Sequence, residues 1–269
     1  MRRYLVIIFS AVISVNLLAC SSSNAVNVAG EHKKVIATAI INPTNNLSAS
    51  KWTNKTYVSI GDSISWQDKQ NYPGSKKIAT GYQSLLNQSI GFKSVTNYSI
   101  IGASMAVSSK YPIKDSIMER YIDRNYSTTD MITVMVGTND FRLNVPIGVI
   151  GKKDDNNFDE TSFYGAYRKL LDCILKQNKS IRIYLFTPLQ RDNDGYDINK
   201  INTEGNKLID YVYAIIKIGE LYKLPVLDLY SKSGINISNL KQYTRDGLHP
   251  NDEGYELISR SIDDFLENN

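Results

Sequence analysis

The sequence contains a serine, an aspartate and a histidine in an arrangement that could perform acyl transfer. The sequence has two histidines, and one of them, His249, follows Asp246 by three positions. Ser63 lies far upstream, directly after an apolar run that ends at Gly61. A serine hydroxyl becomes an effective nucleophile when an adjacent base takes its proton, and a carboxylate keeps an imidazole base oriented. We therefore predict Ser63 as nucleophile, His249 as general base and Asp246 as the partner of the base.

Two further segments could stabilise the oxyanion that acyl transfer creates. Gly102 follows a second predicted strand, and Asn139 follows a third, more apolar strand within Gly137–Asp140. Hydrogen-bond donors that are preorganised at a developing oxyanion contribute on the order of 3 kcal/mol each. Taken singly, each segment is more typical of an ordinary helix cap or turn. The interpretation therefore depends on their combination.

The segments Gly61–Ser63, Gly102, Gly137–Asp140 and Asp246–His249, in this order, resemble the SGNH or GDSL hydrolase superfamily. That family carries Gly-Asp-Ser at the first strand, a glycine at the second, Gly-x-Asn-Asp at the third and Asp-x-x-His near the end. The resemblance extends from about Lys51 to the C terminus. Four ordered segments are far more specific than any one of them.

The resemblance implies an α/β fold, a three-layer α/β/α sandwich around a flavodoxin-like, five-stranded parallel sheet of strand order 2-1-3-4-5. It implies a serine hydrolase that acts on ester bonds without a cofactor, with Ser63, Asp246 and His249 as catalytic residues. The implied oxyanion hole consists of the backbone N–H groups of Ser63 and Gly102 and the side chain of Asn139.

The elements that must position these residues follow from the hydrophobic pattern. Apolar and β-branched runs predict five strands: Thr56–Ile60, Ser94–Ile100, Met131–Val136, Arg182–Phe186 and Val226–Leu229. Apolar spacing near 3.6 predicts helices between and after them: Ile78–Asn87, Lys114–Ile122, Thr161–Gln177, Ile201–Leu221 and Asn251–Leu266. Alternating strands and helices favour a parallel sheet covered on both faces, with ligands at the carboxyl ends of the strands.

The N terminus has the pattern of a targeting segment. Arg2 and Arg3 precede an apolar run, and Leu17–Cys20 resembles the lipobox of bacterial lipoproteins. We predict a signal peptide over residues 1–19, lipidation of Cys20, a flexible tether over 20–50 and the hydrolase domain over 51–269. The alternative is an ordinary secretory signal with a chance cysteine. The expected location is the bacterial cell envelope, outside the cytoplasm, either periplasmic or at the cell surface.

The bulk composition excludes several other classes of protein. A charged fraction of 22% with 42% hydrophobic residues is typical of a folded domain rather than a disordered polyelectrolyte. The formal net charge of +4, without a basic stripe, gives little support for nucleic-acid binding. No His/Cys cluster suits zinc, and Asp192–Asp197 lacks the glycine register and the glutamate of a calcium loop, so we expect no metal site.

The substrate is less well defined by the sequence. The long connections Phe141–Glu160 and Thr187–Asn199 are predicted substrate loops, and Trp66 and Tyr82 are candidates for stacking on a sugar ring. We predict an esterase that removes short acyl groups, O-acetyl groups in particular, from carbohydrate. An O-acetyltransferase, or a lysophospholipase or thioesterase with the same triad, is the alternative, and a non-catalytic glycan-binding lipoprotein is a more distant one. The oligomeric state is left open.

Overall fold

The computed structural model describes residues 49–107 and 116–269, which form one compact unit. Seven strands occur in this part of the chain: β1 (Thr56–Gly61), β2 (Ser94–Ser99), β3 (Met131–Met135), β4 (Arg182–Phe186), β5 (Asp192–Asn193), β6 (Tyr196–Asp197) and β7 (Val226–Leu227). Five of them form an all-parallel sheet of order β2-β1-β3-β4-β7, and β5 pairs with β6 as an antiparallel hairpin. The predicted parallel sheet and its strand order are confirmed, with β7 as the fifth strand.

Helices cover both faces of this sheet. They are α1 (Ser63–Trp66), α2 (Tyr82–Ile90), α3 (Ile117–Tyr121), α4 (Thr138–Arg142), α5 (Phe163–Gln177), α6 (Leu208–Tyr222), α7 (Leu229–Lys232), α8 (Leu240–Tyr243) and α9 (Asp252–Asn268). Alternate residues of a strand point to opposite faces, and Val58 and Ile60 of β1 join the apolar cluster under α3, α5 and α6. Tyr57 joins the cluster under α2 and α9. Two cores separated by one sheet make the predicted three-layer sandwich.

Two helices begin four or more residues later than the apolar spacing predicts. The helix predicted over Ile201–Leu221 begins at Leu208. The residues before it form a loop, because the side chain of Asn202 binds the backbone of that loop. Its Oδ1 accepts hydrogen bonds from two backbone N–H groups, those of Glu204 at 3.1 Å and Asn206 at 2.9 Å. Asparagine side chains compete with the helical backbone in this way.

The second late start concerns the helix predicted over Ile78–Asn87, which begins at Tyr82. Ile78 pairs with Asn71 in an antiparallel bridge, and 60% of its surface is exposed. The segment between α1 and α2 is therefore a loop held by its own bridge, and Ile78 does not contribute to the core.

The predictions for the N terminus lie outside the described residues. They comprise the signal peptide over 1–19, the lipidated Cys20 and all but the last two residues of the tether over 20–50. Within residues 49–107 and 116–269, no helix is long and apolar enough to cross a membrane.

Candidate active site

The turn after β1 presents Ser63 at the carboxyl end of the sheet. Asp62 caps α1, because its Oδ1 accepts a hydrogen bond from the backbone N–H of Ile64 at 3.0 Å. A side chain at Gly61 would collide with Ser65 and with the carbonyl oxygen of Met135. Glycine is thus required for the chain to turn from strand to helix at this point, and Ser63 becomes the first residue of α1.

Ser63, His249 and Asp246 form one continuous chain of hydrogen bonds. Ser63 Oγ lies 2.9 Å from His249 Nε2, and His249 Nδ1 lies 2.7 Å from Asp246 Oδ2. A carboxylate accepts, so Nδ1 carries the hydrogen and Nε2 is left to accept from the hydroxyl of Ser63. The structure brings all three predicted residues together across 186 positions of the sequence.

Asp246 is held in its ionised form by the turn in which it lies. Its Oδ1 also accepts from the backbone N–H groups of Leu248 at 3.1 Å and of His249 at 2.8 Å. Partial burial opposes ionisation, but the hydrogen bonds from the ring and the backbone of His249 outweigh it and hold the pKa of Asp246 well below its ordinary range. The imidazole therefore faces a negative charge at neutral pH.

The two predicted oxyanion segments lie against each other. Gly102 has a φ of +71°, and an added Cβ there would meet nothing within 4 Å. Asn139 is buried on α4, and its Nδ2 donates to the carbonyl oxygen of Ala103 at 3.0 Å. An amide nitrogen carries two hydrogens, so one remains for another acceptor. The structure brings Asn139 to the loop of Gly102.

Asp140 contributes to this arrangement in a way that the sequence reasoning missed. Its carboxylate accepts from the backbone N–H of Met105 at 2.9 Å and from that of Ala106 at 3.3 Å. Burial raises the pKa of Asp140 to about 7, although these hydrogen bonds oppose the rise. Asp140 thereby holds the loop after Gly102 in place. Its position beside Asn139 in the Gly-x-Asn-Asp segment is the sequence feature that could have indicated this role.

Arg191 is a second residue that sequence reasoning missed. Its side chain is fully buried, and its Nε donates to the carbonyl oxygen of Tyr196 at 3.2 Å, within the β5–β6 hairpin. Burial, together with repulsion from Arg142, lowers its pKa to about 10, so it stays a cation at neutral pH. Nothing in the sequence around this isolated arginine indicates that its side chain is buried. The burial of its charge is decided by the fold.

The predicted loop Thr187–Asn199 contributes the β5–β6 hairpin, which lies beside the turn of His249. Asp192 donates its backbone N–H to the carbonyl oxygen of Gly247 at 2.9 Å, and Asn193 Nδ2 donates to that of Asp246 at 2.8 Å. In the other predicted loop, Phe141–Glu160, the carbonyl oxygens of Ile150 and Lys152 accept from Arg168 of α5 at 2.5 and 2.6 Å. A role for either loop in substrate binding stays a prediction.

Of the two aromatic candidates for sugar stacking, Tyr82 is wrong. Its ring is fully buried, and its hydroxyl bonds the Oγ atoms of Ser59 at 2.9 Å and Ser65 at 2.8 Å. Tyr82 therefore supports the turn of Ser63 from the core and cannot contact a ligand. Trp66, at the end of α1, is half-buried and keeps a ring accessible.

Comparison with known proteins places this geometry in a family. The sequence profile of the GDSL-like lipase/acylhydrolase family matches residues 59–257, which contain every site residue described above. No curated protein sequence matches the chain.

Solved structures share the fold. A protein from Lactobacillus plantarum is 26% identical, with a TM-score of 0.66 over 80% of this chain and 98% of its own. A possible lipase from Chitinophaga pinensis DSM 2588 is 23% identical, with a TM-score of 0.61 and the same coverage, 80% and 98%. An acetyl-xylooligosaccharide esterase from Geobacillus stearmophilus is 18% identical, with a TM-score of 0.52 over 80% of this chain and 94% of its own. The last two similarities establish the fold alone.

The family match covers most of the chain and includes both ends of the Ser63–His249–Asp246 hydrogen-bond chain. The protein is therefore an ester-hydrolysing enzyme that belongs to the GDSL-like lipase/acylhydrolase family.

Proposed function

We propose that Ser63, His249 and Asp246 act as a catalytic triad that removes short acyl groups, O-acetyl groups in particular, from carbohydrate. The observation that carries the proposal is the hydrogen bond of 2.9 Å between Ser63 Oγ and His249 Nε2, continued at 2.7 Å to Asp246. A nucleophile, a base and an orienting carboxylate within hydrogen-bond reach define this reaction class.

The proposed reaction has two halves. His249 Nε2 takes the proton of Ser63 as Oγ attacks the acyl carbon, and the same proton then passes to the leaving alkoxide as the ester C–O bond breaks. Water next repeats the sequence on the acyl-enzyme: it gives a proton to His249 as its oxygen forms the new bond to the acyl carbon. The bond between that carbon and Ser63 Oγ then breaks, and Oγ recovers a proton from His249 as the acid leaves. Asp246 remains a carboxylate throughout and stabilises the imidazolium.

The oxyanion of each tetrahedral intermediate would be held by the backbone N–H groups of Ser63 and Gly102 and by Asn139 Nδ2. Support comes from the contact of Asn139 with the loop of Gly102 and from the second hydrogen of its amide. No atom lies within 4 Å of the place where a Cβ on Gly102 would stand, so the space beside this residue is open. Donors at this point stabilise charge that develops only during the reaction.

A carbohydrate ester is favoured by the polar character of the chain around Ser63 and by a structural neighbour that is an acetyl-xylooligosaccharide esterase. The test is hydrolysis of a series of acyl esters from acetate to decanoate, together with acetylated oligosaccharides. We expect turnover to be highest for the acetyl esters. Faster turnover of long chains indicates a lysophospholipase or thioesterase, and acyl transfer to an added sugar in preference to water indicates a transferase.

Labelling with a fluorophosphonate tests the nucleophile directly. The wild type should be labelled and Ser63→Ala should not. Ser65→Ala is the matched control, because this hydroxyl lies two positions away and bonds Tyr82 rather than His249. Labelling that persists in Ser63→Ala contradicts Ser63 as the nucleophile. Absence of labelling from the wild type contradicts the triad and favours a glycan-binding protein without catalysis.

We further propose that lipidation of Cys20 anchors the enzyme in the bacterial cell envelope, outside the cytoplasm. The support is the basic, apolar and Leu-Leu-Ala-Cys order of the first twenty residues. Cells fed an alkyne fatty acid should incorporate it into the wild type and not into Cys20→Ala. Equal incorporation into both contradicts the anchor and leaves the triad untouched.

A further inference from the structure

We propose that a cavity beside α1 is a saccharide subsite that holds one neutral sugar ring of the substrate next to Ser63. The inference rests on the proposed esterase function, which it deepens by naming what binds beside the ester. The cavity has a volume of about 280 Å³ and lies between the segment from Trp66 to Gln70 and the edge strand β2.

The floor of the cavity is one face of β2. Val95, Asn97 and Ser99 line it, and alternate residues of a strand share a face. Asn97 Nδ2 donates to the carbonyl oxygen of Ser65 at 2.7 Å, which leaves the amide oxygen of Asn97 to face a ligand. The buried Oγ of Ser99 has no hydrogen-bond partner among residues 49–107 and 116–269. Buried hydroxyl groups without a partner are rare. Ser99 lines the cavity through its other atoms, because this oxygen itself has almost no accessible surface.

The wall of the cavity begins at Trp66. Trp66 and Ser63 are three positions apart on α1, and residues at this spacing share a helix face with Cβ atoms about 5–6 Å apart. The indole is half-buried, so one part of its ring is anchored while another part can contact a ligand. A ring stacked on Trp66 therefore lies beside the nucleophile.

The strand register places the cavity at the catalytic end of the sheet. Ser99 is paired with Gly61, the residue two positions before Ser63, and both lie at the carboxyl ends of their strands. Neighbouring strands are about 4.8 Å apart. The Ser99 end of the cavity therefore opens beside the turn of the nucleophile, and its Val95 end runs down the strand away from it.

The lining chemistry matches a neutral sugar. Asp68 accepts from the backbone N–H of Gly81 through Oδ1 at 2.9 Å, which leaves Oδ2, and Lys69 and Gln70 add an ammonium and an amide. Donors and acceptors in such a mixture complement hydroxyl groups, which both donate and accept. The charges of Asp68 and Lys69 are opposite, so the lining selects no net ligand charge. An acyl chain in this cavity would leave the polar groups without hydrogen bonds, which is costly.

Calorimetric titration of Ser63→Ala with unesterified xylotriose, chitotriose and maltotriose tests the subsite without turnover. We expect saturable binding of at least one trisaccharide, weakened at least tenfold by the added change Trp66→Ala and several-fold by Gln70→Ala. Trp66→Phe retains a ring and should lie between Trp66→Ala and the parent. Gln242→Ala is the matched control, because this glutamine is exposed on α8 and does not line the cavity.

Failure of the subsite and failure of the proposed function are distinguishable. If wild type hydrolyses acetyl esters through Ser63 but no trisaccharide binds Ser63→Ala, the subsite is overturned and the esterase stands. Saturable binding of laurate that Trp66→Ala abolishes overturns it as well, because the cavity then takes an acyl chain. If trisaccharides bind through Trp66 but no variant or wild type cleaves esters, the subsite stands and the proposed function fails. Circular dichroism confirms folding, and Gln70→Ala keeps the test open if Trp66→Ala does not fold.

Discussion

Arg191 donates from Nη1 to Thr138, to the hydroxyl oxygen at 2.9 Å and to the carbonyl oxygen at 3.2 Å. Thr138 directly precedes Asn139, the side chain that we propose as an oxyanion donor. The same guanidinium donates from Nη2 to the carbonyl oxygen of Asn193 at 3.2 Å, and Asn193 donates to that of Asp246 at 2.8 Å. One buried cation thus joins the helix of Asn139 to the turn of Asp246.

Arg191→Met should therefore impair both stability and catalysis. Carbonyl oxygens left without a partner in a buried site cost about 1–3 kcal/mol each, so we expect the free energy of unfolding to fall by about 3 kcal/mol. Misplacement of Asn139 and Asp246 should lower kcat at least about tenfold. Urea unfolding and steady-state hydrolysis of an acetyl ester measure the two effects.

Arg191→Lys separates positioning from general stability. A single ammonium keeps the charge but cannot reach Thr138 and the hairpin at once. We expect it to recover part of the lost stability while kcat stays low. Arg260→Lys, an exposed position paired with Glu256, is the control and should change stability by less than about 0.5 kcal/mol. Wild-type kcat in Arg191→Lys would show that the guanidinium does not position the site.

Asp246→Asn tests the orienting carboxylate. The amide cannot supply the negative charge that faces His249 Nδ1 at 2.7 Å, and it permits the wrong imidazole tautomer. We expect kcat to fall by about a thousandfold or more while circular dichroism is unchanged. Asp192→Asn is the matched control, because its side chain is exposed and Asp192 approaches the same turn through its backbone. A loss in Asp246→Asn no larger than in this control would contradict the triad.

Gly102→Ala tests the oxyanion assignment against a glycine of the same conformation. Gly102 and Gly205 have φ angles of +71° and +78°, and at neither would a Cβ meet an atom within 4 Å. Each substitution should therefore cost about 1 kcal/mol of stability from backbone strain alone. Only Gly102→Ala should lower kcat, by about tenfold or more, because it shifts the N–H that we propose as an oxyanion donor. Equal kcat in the two variants would remove Gly102 from the oxyanion hole.

The pH dependence of stability should carry a signature of Asp140. Burial raises its pKa from 3.8 to about 7, so the folded state holds a proton that the unfolded state releases. The stability gained from this proton is complete below the unfolded pKa and is lost as pH rises through 7. Between pH 5 and pH 8 we expect this contribution to fall by about 2 kcal/mol. Burial raises the pKa of Asp62 to about 6 and adds a loss at slightly lower pH.

Asp140→Asn isolates this contribution, because the amide has no proton to lose in this range. Unfolding in urea at pH 5 and at pH 8 should show a smaller decline for the variant than for the wild type. Asp130→Asn is the control, since backbone hydrogen bonds from Thr56 lower the pKa of Asp130 and keep it ionised over this range. Parallel declines in the wild type and in Asp140→Asn would show that Asp140 is ionised in the fold at both pH values.

The sequence by itself determined the parallel sheet and the order in which the candidate site residues follow one another along the chain. Strands such as Arg182–Phe186 were predictable because a short, continuous apolar run must be buried, as it is in a parallel sheet that is covered on both faces. Ser63, His249 and Asp246 were predictable as candidates because acyl transfer limits the residue types, Ser63 follows a strand, and Asp246 and His249 are three positions apart in one turn. The apolar pattern does not show that the side chain of Asn202 competes with the helical backbone for hydrogen bonds. The helix predicted over Ile201–Leu221 therefore begins too early.

Only the tertiary structure decided which polar groups are buried and what they touch. Tyr82 is a core residue and Trp66 lines a cavity, although both are aromatic residues near Ser63 in the sequence. Arg191 and Asp140 became supports of the site through contacts with segments 35 to 53 positions away. Composition and periodicity indicate which face of a single helix or strand is apolar. Hydrogen bonds between elements depend on how those faces are packed together.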